Sequence, residues 1–197
     1  MDYYKRNLPH IQPEFATYFI TFRLAFSLPK RAIDSLKLVK DKDENSISYF
    51  LNYDKIIENC KLSPLYLNQL DVAEIVSKKL LELDNVRYEL ICFCIMPNHV
   101  HFLFSMDKYW IDGLENKYQV TKILKDIKGS TAFLSNKILQ RKGQFWHHES
   151  YDHYIRNADE LNDTIKYIMF NPVKAGLVAN WQDWKWSYIN KKYMFTV

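Results

Sequence analysis

No apolar run in this 197-residue sequence approaches the length needed to cross a bilayer, and its N-terminal Met-Asp-Tyr-Tyr-Lys-Arg lacks an apolar signal core. Secretion, a membrane anchor and a membrane partner are therefore not expected, and a cytoplasmic protein is. Cysteine is scarce. There are three, an odd number, and Cys92 and Cys94 share one face of an expected buried strand. That pattern speaks for reduced core thiols and against a disulfide framework. No internal repeat is present. Charge is also low overall, at +4, but unevenly placed: from Lys117 to Lys142 seven basic residues face a single acid, Asp126. One element holds the positive field. A polyanion is the partner it fits, and a merely solvated helix face is the plainer alternative.

With 48% hydrophobic and 25% charged residues, the chain has the composition of one well-packed soluble domain over 1–197. The stretch Cys92-Phe-Cys-Ile-Met-Pro-Asn-His99-Val-His101-Phe-Leu-Phe104 is its most informative part. On a strand, side chains alternate faces, so His99 and His101 project together while Val100, Phe102 and Phe104 point the other way into a core. Two neutral imidazoles on one rigid strand make half a metal site; a polar strand edge is the plainer reading.

The periodicities give an element order. Thr17 to Phe26 alternates as a strand, and Lys30 to about Asn68 is charged and irregular, an expected insertion. Asp71-Val-Ala-Glu74 has the pattern of an N-cap opening a helix over about 71–83. Tyr88 to Ile95 reads as a strand buried on both faces, turned by Met96-Pro-Asn98 into the histidine strand. Val120, Ile123, Ile127, Thr131, Leu134 and Ile138 recur as the apolar stripe of a second helix, with Lys122, Lys125 and Lys128 on its exposed flank. Phe145 to Ile155 is a fourth strand. Asn157-Ala-Asp-Glu160 caps a third helix with Leu161, Ile165 and Ile168 inward, which Pro172 is expected to terminate. The order β-α-β-β-α-β-α predicts an α+β fold: a ferredoxin-like split βαβ sandwich, with helices on one face of an antiparallel sheet, plus a trailing helix. The aromatic tail Trp181 to Tyr188 either packs over the sheet or stacks on bases.

On the third helix Tyr167 and Asn171 are i and i+4, at the margin of the buried stripe. The amide could complete a metal site and the phenol could attack an electrophile held there. Ordinary packing and a helix stop are the plainer reading.

Five blocks carry a resemblance: Met96-Pro-Asn-His-Val-His101, Gly143-Gln-Phe-Trp146, Tyr151-Asp-His153-Tyr-Ile-Arg156, Tyr167-Ile-Met-Phe-Asn171-Pro-Val-Lys-Ala-Gly-Leu177 and Trp184-Lys-Trp-Ser-Tyr188. Together they resemble the IS200-like Y1 transposase family, and within it the REP-associated tyrosine transposases, from the first strand to Tyr188 except over 30–68. The resemblance implies an HUH nuclease, in which a histidine pair and a third polar group hold Mg²⁺ or Mn²⁺ against a phosphate of single-stranded or hairpin DNA. A tyrosine then attacks, leaving a 5′-phosphotyrosine and a free 3′-hydroxyl. By position the metal residues are His99, His101 and Asn171, with Asn where IS200 members place Gln, and the nucleophile is Tyr167. Tyr151, beside a serine at 150 where many REP-associated relatives carry tyrosine, is the rival nucleophile. Lys122, Lys125, Lys128 and Arg156 are the expected DNA contacts. A non-catalytic hairpin-binding protein on the same fold and a sheet-based RNA-binding module are the competing functions, and monomer and homodimer stay equally open.

Overall fold

The computed structural model describes residues 2–5, 9–26, 28, 54–57, 63–109 and 118–196. A short hairpin, β1 (Asp2–Lys5) with β2 (Pro9–Gln12), forms its own two-stranded sheet. It is tied to the rest by Gln12, whose amide donates to Thr121 at 3.2 Å and Asp152 at 3.3 Å. The sequence reading had no strand there.

The main sheet is built on β3 (Thr17–Leu24), which sends Tyr18, Ile20, Phe22 and Leu24 to one face and Phe19, Thr21 and Arg23 to the other. After α1 (Leu70–Glu82) come the hairpin strands β4 (Glu89–Ile95) and β5 (His99–Ser105), then α2 (Gln119–Ile138), β6 (Trp146–Tyr154), α3 (Ala158–Lys174) and β7 (Ser187–Ile189). The strand order is β6-β3-β5-β4-β7, antiparallel throughout. Without β7 this is the split βαβ order that the periodicities predict.

Apolar side chains separate into two cores. On one face α1 and α2 set Val72, Val76, Leu80, Val120, Ile123 and Ile127 against Phe22, Phe93, Phe102 and Phe104. Each fully buried residue of this size contributes about 1.5–3 kcal/mol over exposure, so this face is the stable floor. The opposite face carries α3, whose Ile165, Ile168 and Met169 pack on Cys92, Cys94 and Leu103. A bulge between Leu90 and Cys92 in β4 resets the alternation and turns both cysteines to the α3 side. Both are buried free thiols, as expected.

Several boundaries differ from the sequence reading. Asp71 is not a cap: Gln69 is the N-cap of α1 and makes no side-chain bond there, while Asp71 sits in the first turn, where its charge suits the helix dipole. Leu134 and Ile138 are each 45% exposed. The buried stripe of α2 ends instead at Thr131 and Ser135, and Thr131 accepts from the buried Trp146 indole at 2.9 Å. Pro172 lies inside α3 rather than ending it. The helix runs on to Lys174, and Gly176, at φ +68°, follows as the left-handed stop. Asn157 does cap α3, accepting from Glu160 N at 2.8 Å. The tail packs, and part of it is a strand: β7 pairs with β4, and the Trp184 indole donates to the Ile95 carbonyl at 3.0 Å. Of the expected 30–68 insertion, positions 30–53 and 58–62 lie outside the described residues.

Candidate metal centre and nucleophile

His99 and His101 leave β5 on the α3 side of the sheet, at 1% and 0% exposure. Their Nε2 atoms stand 3.1 Å apart. The outer nitrogens are held by neighbours. His99 Nδ1 lies 2.6 Å from Asn98 Oδ1. Asn98 spends its Nδ2 on the Ile57 carbonyl and Ser63 Oγ, both at 3.0 Å. Only the amide oxygen is then left for His99, so Nδ1 carries the proton and Nε2 offers a lone pair. His101 Nδ1 lies 2.9 Å from Thr21 Oγ1, directly across on β3. A hydroxyl donates or accepts, so Thr21 serves either tautomer of His101.

The pair meets a residue that no motif announced. Asp54, in a helical stretch at 54–57, is 1% exposed and sets Oδ1 at 3.5 Å from His99 Nε2 and 3.4 Å from His101 Nε2. Its Oδ2 accepts from the Tyr167 hydroxyl, and from Asn171 Nδ2 at 3.2 Å. Asn171 is fully buried and places the same Nδ2 at 3.1 Å from His101 Nε2. One helical turn thus delivers phenol and amide to the histidines, as the i, i+4 spacing requires.

The electrostatics favour ligation. Burial, then the neighbouring His101, push the His99 imidazole down to about 3 against the pull of Asp54, so the ring is neutral at ordinary pH. Burial opposes ionisation of Asp54, but the adjacent His101, His99 and Asn171 prevail and hold its carboxyl below the usual value. Nearby, burial pushes the Cys94 thiol up to about 12, leaving it protonated.

Ligand atoms of Asp54, His99 and His101 all lie within 4.8 Å of one another, and all three residues are buried. Asp54 Oδ1 and Asn171 Oδ1 have no hydrogen-bond partner. Buried oxygens in that condition are costly, and a cation held by these residues would remove the cost. Two imidazole nitrogens and a carboxylate, with positions left over, suit a divalent ion such as Mg²⁺ or Mn²⁺.

Tyr151, the rival nucleophile, shares the α3 face of the sheet, paired with Thr21 across from β6. Its ring and that of Tyr167 each lie 6.4 Å from Phe19. Both tyrosines line a groove of about 820 Å³ between α3 and the sheet, and Arg156 stands at its wall. The Tyr167 hydroxyl bonds to the cluster, donating to Asp54 Oδ2. The lysines of α2 lie elsewhere, since α2 covers the other face. Lys122 and Lys125 are exposed, but Lys128 donates to the His148 carbonyl and to Ser150 Oγ, both at 3.1 Å. Lys125 and Lys128 border a second groove of about 470 Å³, between α2 and β6.

Comparison with known proteins follows the same residues. The model of a family described as "Transposase IS200 like" matches residues 68–171, which include both histidines, both tyrosines and Asn171 but not Asp54. A Haemophilus influenzae protein named "Putative REP-associated tyrosine transposase" is 32% identical over 112 residues, covering 55% of this chain and 62% of that one. The alignment thus spans about three-fifths of that relative's length. A solved structure of a REP-associated tyrosine transposase bound to a REP hairpin superposes with a TM-score of 0.53 at 19% identity, over 95% of this chain and 82% of the other. That likeness establishes a shared fold.

Proposed function

Because this chain belongs to the IS200-like transposase family, we propose that it is a metal-dependent single-stranded DNA endonuclease and strand transferase acting at hairpin-forming sequences, its 1–197 span working as one nuclease domain. The observation that carries the reading is the hydrogen bond from the Tyr167 hydroxyl to Asp54, the residue whose other oxygen faces both histidines. Nucleophile and candidate metal ligands form one cluster, the ligands buried and the phenol half-buried at its edge.

His99, His101 and Asp54 would hold the cation, and Asn171 would join them by turning its amide oxygen inward. A bound divalent ion would offset phosphate charge and fix the in-line geometry of displacement. The protein's own groups do the rest. Asp54 Oδ2 orients the Tyr167 hydroxyl, and Phe19 packs edge-on against the phenol and confines its swing. The Tyr167 hydroxyl gives its proton to Asp54 Oδ2 as its oxygen attacks phosphorus, the bond to the 3′-oxygen breaks, and that oxygen leaves as a hydroxyl by taking up one proton, so the proton count is unchanged. The 5′-phosphotyrosine that results keeps the bond energy for rejoining. Lys122, Lys125 and Arg156 would hold flanking phosphates, with Lys128 contributing less because it is already engaged.

Incubation with hairpin-forming strands and Mn²⁺ tests this. A covalent protein–DNA adduct on a denaturing gel is expected. DNA binding with no adduct across a broad hairpin set would instead favour a non-catalytic hairpin-binding protein.

A further inference from the structure

The groove beside Tyr167 has chemistry that cutting alone does not use. Tyr167, Phe170 and Lys174 line one wall at i, i+3 and i+7 along α3. The Lys174 ammonium lies 4.5 Å above the Tyr167 ring centroid. Phe170, between them, is 38% exposed. Phe19 and Tyr151 supply aromatic surface opposite, and Arg156 stands over the Tyr154 ring at 5.5 Å near the start of the helix.

Charge is graded along this wall. Glu160 and Asp163 line it from the first turns of α3, and Lys166 and Lys174 from the later ones. Glu160 is already committed, accepting from Arg156 N and pairing with His153 Nε2, each at 2.7 Å. An anion in the groove is therefore disfavoured beside Asp163 and drawn to the Tyr167–Lys174 end, with Arg156 as a second cation at the start of the helix. A duplex presents phosphates but keeps its base faces stacked, so it has no use for an exposed phenylalanine beside a cation. An unpaired strand offers phosphate and base face in alternation, which is what an aromatic and an ammonium one turn apart can engage.

From this complementarity we infer that the α3 groove carries the unpaired strand of the substrate, with Lys174 holding a backbone phosphate beside the attacking phenol and Phe170 stacking a neighbouring base. The inference rests on the nuclease reading above and adds to it a division of labour: hairpin on the α2 side, single strand on the α3 side.

Anisotropy with labelled hairpins, with and without an unpaired tail, tests it in EDTA, where no cleavage intervenes. Lys174→Gln and Phe170→Ala are each expected to weaken binding of the tailed hairpin about tenfold and to change the blunt one by less than about twofold. Lys174→Gln should also lower the salt slope for the tailed form by about 0.7, and Lys174→Arg should restore it. Both side chains are exposed, and thermal melts check that the variants fold. Unchanged tailed affinity, or equal losses on both probes, overturns the groove assignment, while a Tyr167 adduct formed by the wild type would keep the nuclease reading intact. Failure of the wild type to bind either probe overturns both.

Discussion

The Nε2 atoms of His99 and His101 lie 3.1 Å apart, a separation at which only one of the two rings can carry a proton between them. Losing that proton leaves two lone pairs converging beside Asp54 Oδ1. Thr21 makes the change possible for His101, because its hydroxyl can give or accept at Nδ1. Thr21→Val keeps the strand but removes that partner. Mn²⁺ affinity, read by calorimetry, is expected to fall about 10–100-fold, the usual cost of losing an outer-shell partner. Unchanged affinity would mean that Thr21 does not orient the ring.

Removing ligands should separate cutting from binding. His99→Ala, His101→Ala and Asp54→Ala are each expected to abolish cleavage and leave hairpin affinity largely intact, since the basic surface of α2 lies on the other side of the sheet. Wild-type cleavage rates in Mn²⁺ or Mg²⁺ for any of the three would remove that residue from the metal site.

The nucleophile can be identified by one hydroxyl. Tyr167→Phe should eliminate the covalent adduct while preserving fold and binding, and Tyr151→Phe should still form it. Peptide mapping of the trapped species decides the matter: a nucleotide on Tyr151 transfers the role to β6.

On α2, the lysines should contribute unequally. Replacing Lys122 and Lys125 by Gln should reduce the salt slope of hairpin binding by about 1.4, at roughly 0.7 per phosphate contact. Adding Lys128→Gln should reduce it little further, because that ammonium already bonds His148 and Ser150. A third full increment would contradict the anchored role.

Acid should destabilise the metal-free protein. His99 is held at about 3 when folded against 6.5 as a free side chain. Below pH 6.5 the unfolded chain binds a proton that the folded one refuses, so stability falls as pH falls toward 3 and is flat above 6.5 from this source. Asp54, whose carboxyl is lowered, adds a loss in the same direction at lower pH, as the chain is titrated through its folded value. Urea midpoints in EDTA should drop between pH 7 and 4. His99→Gln should flatten part of that drop, and an unchanged pH profile in this variant would assign the acid sensitivity elsewhere.

Much of this was legible because it depends on short-range rules. Strand alternation placed His99 and His101 on one side, and helical spacing placed Tyr167 with Asn171. The order of periodic segments produced the split βαβ sheet. What escaped reading lacks a local signal. Asp54 stands in an aperiodic stretch, and only the tertiary fold carries it under the histidines. β7 is three residues long, too short for alternation to register, and exists because β4 has an edge to cover. Pro172 looked like a stop because its missing N–H usually ends a helix, but near a C-terminus only one bond is lost and two more residues follow.

The candidate centre draws on four distant segments. Thr21 and His101 are 80 positions apart, and Asp54 and Asn171 are 117 apart. Contacts of such span close late in folding, after the loops between them have paid their entropy. A chain still emerging from the ribosome would hold the histidine hairpin long before α3 exists, so the proposed centre would be completed only when α3 arrives. Translation stalled between His101 and Tyr167 would yield a product that has Asp54 and the histidine pair without the candidate nucleophile.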